Sequence, residues 1–368
     1  MSRLIVNVGS TSVKTQLFDN ELHVKAVLNA DYGATSGLLI EGFNVNGEKF
    51  SHHDENIHDA KNTLAFLYQQ WQKWLAENNL ELSAIGHRVV HGGAHFKEIT
   101  PITADVVTQI AKLDNYAPLH NPLNRLGIEM AAELFANVAQ FAVFDTAFHR
   151  QIPDYAGRYA IPENLSENVD FYRYGFHGIS CQHSMNAAAK ILDKSPENLN
   201  LIILHLGGGA SATAIKNGVS VDTSMGFSPT EGLVMASRSG DIDPMISLTL
   251  QREGKSVEDI NYLLNKQSGL NGVCGETDMR AILQRSEKGD KACLLALNLF
   301  CYRIKKYIGA YFAVLNGKVD ALIFTGGIGE NAPVIRQQIL DDLDGLNVPV
   351  VLVIHAEEER EIASQIPA

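Results

Sequence analysis

The chain has 368 residues, of which 45% are hydrophobic and 20% charged, with a formal net charge of −12 at neutral pH. That length suits two domains with large cores. An acidic balance without a basic run excludes nucleic acid or an anionic membrane surface as principal partner. Cys181, Cys274, Cys293 and Cys301 form no CxxC pair. Their spacing suits neither a zinc site nor a disulfide framework, and buried reduced thiols are expected. No apolar run approaches the roughly 20 residues of a membrane span. The chain opens straight into a strand without a signal-peptide pattern, and a cytoplasmic protein is expected.

Leu4–Val8 reads as a strand, Gly9–Ser12 as a turn, and Val13, Thr15 and Leu17 as the alternating face of a second strand. The turn offers three hydroxyls and is followed by Lys14. Asn7 stands inside the apolar strand, where a buried amide needs partners. Residues 19–56 read as further strands and loops. Within them His52, His53 and Asp54, with His58, are expected in an exposed loop rather than at a metal. Ile57, Leu64, Leu67, Trp71, Trp74 and Leu75 fall at helical spacing over 57–79. Ala84–Gly93 is a strand ending in two glycines and carries His87, Arg88 and His91. An arginine there must meet either a bound anion or a structural carboxylate. The turn Ala117–Pro122 presents His120 and starts a helix to about Phe135. Phe141–Phe144 is a strand with Asp145 at its C-terminal end, where α/β folds place chemistry.

Residues 150–175 read as loop. Tyr174-Gly-Phe-His-Gly178 sets His177 between an aromatic residue and a glycine, before a helix from Ser180 to Leu192. Leu201–Ile215 is a buried strand, the turn Gly207–Gly209, and a second strand. Such a turn is either a plain hairpin or a nest of N–H groups for phosphate oxygens. Val221–Pro229 and Met235–Pro244 are irregular, and Arg238 between two serines favours a ligand role. The chain is then helical to about Gly309. Val319–Asn331 is a third strand and glycine turn, opening into a helix near Ala332. Val348–Ile354 is a final strand with Pro349 near its start, and Glu357–Glu361 begins a short helix.

The two halves share a layout of strand, glycine-hydroxyl turn and strand. This predicts two similar α/β domains facing each other, each lending a phosphate loop to a shared cleft. Neither GxxxxGK[ST] nor GxGxxG with a following acid is present. Phosphoryl transfer needs backbone amides and cations to hold the phosphates, a metal to bridge oxygens, and an acceptor fixed in line. The glycine turns with Lys14, Arg88, Arg238, His177, Asn7 and Asp145 could fill those roles.

In order along the chain, Asn7-Val-Gly-Ser-Thr-Ser12, His87-Arg-Val-Val-His-Gly-Gly93, Pro118-Leu-His-Asn-Pro122, Val143-Phe-Asp-Thr-Ala-Phe-His149, Tyr174-Gly-Phe-His-Gly178, His205-Leu-Gly207, Arg238-Ser-Gly-Asp-Ile-Asp-Pro244, Asp278-Met-Arg280 and Gly327-Ile-Gly-Glu-Asn331 resemble the motif set of the acetate kinase family. That family belongs with the sugar kinases, chaperone ATPases and actin. The resemblance implies an α/β fold of two similar ribonuclease H-like (actin-like ATPase) domains with a cleft between them. Domain I would be 1–148 plus 356–368, and domain II, nucleotide-binding, 149–355. The implied reaction is ATP + acetate ⇌ ADP + acetyl phosphate with Mg2+, or Mn2+ in its place, in a homodimer. Propionate is the alternative acceptor.

By the same likeness Arg88 and Arg238 hold the acceptor carboxylate and the moving phosphoryl group. His177 stabilises the transition state with His120 nearby, and Asp145 is the catalytic acid residue. Asn7 and Glu358, or its neighbour Glu359, belong to the metal site. His205, Leu206, Gly207, Gly208 and Gly209, then Asp278, Met279 and Arg280, then Gly327, Ile328, Gly329, Glu330 and Asn331 form the nucleotide site, with Lys14 from the first turn. Val90, Leu119, Phe176 and Pro229 form the apolar pocket for the acyl methyl group. A carboxylate acceptor with a pKa near 4–5 is already ionised at pH 7, so no general base is needed. Asp145 is therefore read as orienting a metal, a water or Arg238. The chain departs from the family pattern at Gly208, where Asn is usual, at Ala94, where Glu is usual, and in the acidic segment at 357–360. A chaperone or cytoskeletal module of the same fold is the competing reading, but it leaves the acyl pocket and the second arginine without a role.

Overall fold

Both halves of the chain build the same order of strands. The computed structural model describes all residues except 1, 34–36, 45, 46, 164, 168, 342, 349 and 368, and the side chain at 344. It divides into two compact units, Met1–Phe148 with Glu357–Ala368, and His149–Ala356.

In the first unit β1 (Ser2–Val8), β2 (Ser12–Phe18) and β3 (Val24–Asp31) form an antiparallel meander, which β4 (Leu38–Asn44) and β5 (Lys49–Asp54) extend. On the other side of β1 lies β6 (Leu82–Val89), parallel to it. The two-residue edge β7 (Thr100–Pro101) pairs with β8 (Ala139–Phe144), which runs parallel to β6. In the second unit β9 (Leu201–Leu206), β10 (Ala210–Lys216) and β11 (Val219–Thr223) repeat the meander. Next to β9, β12 (Ala321–Thr325) and β13 (Val351–Val353) repeat the parallel pair. The shared order is β3-β2-β1-β6-β8 in one and β11-β10-β9-β12-β13 in the other, as two similar ribonuclease H-like domains require.

The apolar runs of β1 and β12 are buried throughout because both faces of a central strand are covered. Alternation along β1 sorts its side chains. Leu4, Val6 and Val8 join the core beneath helices Ala60–Glu77 and Asn121–Leu134. Arg3, Ile5 and Asn7 turn to the last helix, Glu358–Gln365: Arg3 Nη1 donates to the Ala363 carbonyl at 3.1 Å and Asn7 Nδ2 to Glu359 Oε1 at 2.9 Å. Gly86 lets that helix approach, since a Cβ there would stand 2.8 Å from Ile5 and 2.9 Å from Ile362. The chain end thereby returns to the first unit. Trp71 Nε1 donates to Thr15 Oγ1 at 2.8 Å, and that hydroxyl donates to the Leu28 carbonyl at 2.7 Å, so the indole is buried with its polar atom satisfied.

Four expectations are corrected. His52, His53 and Asp54 belong to β5 rather than a loop; alternate residues are half-buried and His52 stacks on Phe66 with ring centroids 4.5 Å apart. The glycine segment after β12 is itself helical, Gly326–Asn331, because Gly326 takes φ +76° and turns the chain at once; a Cβ there would stand 2.8 Å from the Leu206 carbonyl oxygen. Residues 154–157 of the expected loop form one helical turn. The long helix Lys291–Val314 also runs past Gly309. Pro349 lies outside the described residues.

Candidate active site

In the first unit three neighbouring parallel strands bring together polar groups that the sequence keeps far apart. Asn7 is near the end of β1, Arg88 near the end of β6, and Asp145 directly follows β8. Arg88 grips Asp145 with both ends of its fork, Nε to Oδ1 at 2.8 Å and Nη2 to Oδ2 at 2.6 Å. Its Nη1 donates to Asn7 Oδ1 at 3.2 Å and lies 3.6 Å from Glu358 Oε2. Burial works against the Arg88 charge, but the carboxylates of Asp145 and Glu358 outweigh it and hold the guanidinium above its already high value. Burial also pushes the Asp145 carboxyl up, and Arg88 pulls it back. The two-point geometry is that of an ionised pair, in which both carboxylate oxygens act as acceptors. Asp145 therefore orients Arg88. Lys14 pairs with Asn7 across β1 and β2 and is exposed.

Val90 and Leu119 also lie in the first unit, Val90 buried and Leu119 44% exposed. His120 caps helix Asn121–Leu134 without a side-chain cap bond. Two buried asparagines of this helix hold the strand ends. Asn124 accepts from Val90 N at 3.0 Å and donates to the Val8 carbonyl at 2.8 Å; Asn121 accepts from His91 N and donates to the His91 carbonyl, each at 3.0 Å.

In the second unit His177, Arg238 and Gly209 meet. His177 takes φ +58° just before helix Gly178–Ile191, a strained conformation for a side-chain-bearing residue and one that concentrates at functional sites. Its ring stacks on His205, centroids 4.1 Å apart, and its Nδ1 lies 3.0 Å from Ser211 Oγ; His205 Nδ1 lies 2.8 Å from Ser180 Oγ. A Cβ at Gly209 would stand 3.3 Å from His177 Nε2 and 3.7 Å from Arg238 Nη1, so both side chains border that glycine. Arg238 is partly buried and donates to the Pro229 carbonyl at 3.3 Å. Burial lowers its affinity for a proton. Among the described residues no carboxylate pairs with it, which leaves its fork available for an anion.

The three predicted nucleotide segments line one cavity of about 430 Å3, with Gly207 and Gly208, Asp278, Met279 and Arg280, and Gly327, Ile328 and Asn331 in its wall. That size suits a small-molecule site. The strand pair β9–β12 sets two of the segments side by side. The third is fixed by Asp278, which accepts from Arg280 N at 2.9 Å as the cap of helix Met279–Glu287. Ala236 N donates to the Gly208 carbonyl at 3.2 Å and ties the Arg238 segment to the glycine loop. A Cβ at Gly208 meets nothing within 4 Å, so the protein itself does not demand glycine there. Leu206 and Gly329 are buried behind the cavity, and Glu330 points away, accepting from Ala356 N at 2.9 Å with His355 Nδ1 at 2.6 Å.

His149 was not singled out by sequence reasoning. It is buried, its Nδ1 2.8 Å from Ser220 Oγ and its Nε2 2.9 Å from the Phe176 carbonyl oxygen, and it braces the loop that presents buried Phe176 and His177. Gly175 makes room for it, since a Cβ there would stand 2.6 Å from the His149 ring. A polar residue closing an apolar stretch was the available signal. Burial pushes His149 down to about 4, and His87 in the first unit likewise to about 4. Both are neutral in the fold, whereas the unfolded imidazoles bind protons near pH 6.5. Their stabilisation is complete above about pH 6.5 and declines as the pH falls towards 4, by at most about 3 kcal/mol per histidine. Thermal unfolding between pH 4 and 7 should show this slope, and His149→Gln should flatten it; an unchanged slope would contradict the role given to His149.

The acetokinase family pattern matches residues 2–364. An acetate kinase of Sulfurovum sp. (strain NBC37-1) is 48% identical over 345 residues, covering 94% of this chain and 86% of its own. Among solved structures, a propionate kinase from Francisella tularensis subsp. tularensis has a TM-score of 0.92 at 38% identity, covering 99% of this chain and 98% of its own. Porphyromonas gingivalis acetate kinase has a TM-score of 0.87 at 34% identity, with the same coverage of each chain.

Proposed function

The chain belongs to the acetokinase family and is a phosphotransferase with a carboxyl group as acceptor, and from that premise we propose that Arg238, His177 and the Gly207–Gly209 loop hold the phosphoryl group as it passes between ATP and acetate. The observation that carries this reading is Arg238: a partly buried guanidinium with no carboxylate partner among the described residues, beside His177 and bordering the glycine loop. A carboxylate oxygen of acetate forms the new P–O bond and ADP leaves with the electrons of the old one. Charge spreads over the equatorial oxygens of a metaphosphate-like group, which suits a planar fork and an imidazole better than a base. Leu206 to Gly209, Asp278 to Arg280 and Gly327 to Asn331 take the nucleotide. This makes the second unit the nucleotide domain. Arg88, held by Asp145, is the acceptor-side cation of the first unit; Val90 and Leu119 of the first unit, and Phe176 and Pro229 of the second, are the residues given to the acyl methyl group.

A magnesium ion fits the oxygen donors of the first unit. Mg2+ is usually held by one or two carboxylates with waters and substrate phosphates, and no three-residue metal cluster of His, Cys, Asp or Glu occurs among the described residues. Glu358 and Asn7 would hold it. Glu359 is buried and occupied with the Asn7 amide, whereas the Glu358 side chain keeps 15% of its surface. When bound, the ion neutralises phosphate charge; Mn2+ offers the same chemistry.

Four buried cysteines suit a reducing cytoplasm, and no helix among the described residues is long and apolar enough to cross a membrane. Helix Pro244–Arg252 has no buried residue and exposes Met245, Ile246 and Leu248 by 45% or more. We assign its cover to a second copy of the chain.

The propionate kinase likeness favours a second acceptor, one methylene longer, and a pocket separates the two by only about 1–3 kcal/mol. Trapping acyl phosphate as hydroxamate, on the species of twice the 40.3 kDa chain mass, decides. Acetate should have the higher kcat/KM, with no product when Mg2+ is chelated. Preference for propionate would overturn the acceptor, and activity in a single-chain species would overturn the dimer.

A further inference from the structure

A second polar cluster of the nucleotide domain lies outside the roles given so far. Glu231 accepts from Arg173 Nη2 at 2.7 Å through one carboxylate oxygen and from the Tyr159 hydroxyl through the other. The same hydroxyl accepts from Phe227 N at 2.8 Å, and Arg173 Nη1 donates to the Thr223 carbonyl at 3.0 Å. Arg173 also lies over the Tyr159 ring, 5.6 Å from its centre. Glu231 and Tyr159 crowd Gly226, where a Cβ would fall within 2.0 Å of the Tyr159 hydroxyl. The Gly226 carbonyl accepts from Tyr174 N at 3.1 Å and Gly175 N at 3.3 Å.

The cluster thus fixes two loops against each other. One carries Pro229, whose carbonyl receives Arg238; the other continues into Phe176 and His177. A surface ion pair would contribute little, but here both Glu231 oxygens, the Tyr159 hydroxyl and the two terminal nitrogens of Arg173 bond to backbone or to another member, which rigidifies the pair of loops. We propose that Tyr159, Glu231 and Arg173 are positioning residues that set the spacing of Phe176 and Pro229 and so the acyl-chain length the acceptor site admits. This rests on the acceptor role given above to those two residues. None of the three clamp residues needs to touch a substrate.

The test is Tyr159→Phe, which keeps the ring and removes the hydroxyl that joins Glu231 to Phe227 N. Wild type and variant are compared for kcat and KM with acetate, propionate and ATP. The ratio of kcat/KM for acetate to that for propionate should fall at least fivefold, through the acceptor KM, with the ATP KM within twofold of wild type. Should Tyr159→Phe not fold, Glu231→Gln is measured and the same shift is expected. A variant that loses melting temperature and kcat for both acids alike, at an unchanged ratio, overturns the proposal. Wild-type protein that phosphorylates neither acid overturns the acceptor reading itself, an outcome visible before any variant is made.

Discussion

Arg238→Ala should lower kcat for acetyl phosphate formation by about a thousandfold or more while ATP still binds. A cation aimed at the transferring phosphoryl group commonly supplies about 10³ to 10⁵ in rate. Arg238 fits that part because no carboxylate among the described residues of its own unit pairs with it: it donates to the Pro229 carbonyl at 3.3 Å and lies 3.9 Å from the Met235 sulfur. Removing it leaves the nucleotide cavity intact, since Gly207, Gly208, Asp278 and Gly327 line that cavity without it. Titration calorimetry with ATP should therefore give a Kd near wild type, and steady-state kinetics a collapsed turnover. A variant with near-normal kcat would remove Arg238 from the chemistry.

Asp145→Asn should act on both stability and catalysis. The substitution keeps the shape and removes the charge that balances Arg88. Asp145 is 2% exposed and the Arg88 side chain 18%, so the guanidinium would be left largely buried, without its bidentate partner and with Glu358 at 3.6 Å as its nearest remaining carboxylate. Breaking such a pair costs about 3–5 kcal/mol. The acetate KM should rise with it, because an amide has one acceptor oxygen and Arg88 loses the two-point grip that aims it. Adding Arg88→Met should restore much of the stability and none of the activity, the signature of an ion pair in a double-mutant cycle. If chemical denaturation finds Asp145→Asn as stable as wild type, with its acetate KM unchanged, Asp145 does not hold Arg88.

Much of this was legible in the residues, for physical reasons. The hairpins at Gly9–Ser12 and Gly207–Gly209 announce themselves because bulky alternation stops at small residues, and the strand order then follows from parallel crossovers. Asn7 stood out as a polar group in an apolar strand, and its partners are Glu359 and Arg88. What stayed hidden depends on neighbours distant in the chain. Arg88 could have met a bound anion or a carboxylate; only the adjacency of β6 and β8 selects Asp145, 57 residues on. The β5 edge stays hidden because its adjacent histidines and polar neighbours carry too little apolar signal. The glycines at 326–329 read as a turn because glycine is a poor helix former, and tertiary packing beneath Leu206 overrides that preference. Gly208 reads differently with its surroundings in view: the space around it is open, so glycine there is not a steric need of the protein itself.

The most direct test of the central claim, phosphoryl exchange between ATP and acetate at this site, is the reverse reaction. Purified chain is given ADP, Mg2+ and acetyl phosphate, and ATP is followed by luminescence. ATP should appear in proportion to the acetyl phosphate consumed, and should vanish with Arg238→Ala. Slow ATP hydrolysis that ignores acetate, with no ATP made from acetyl phosphate, would contradict the account.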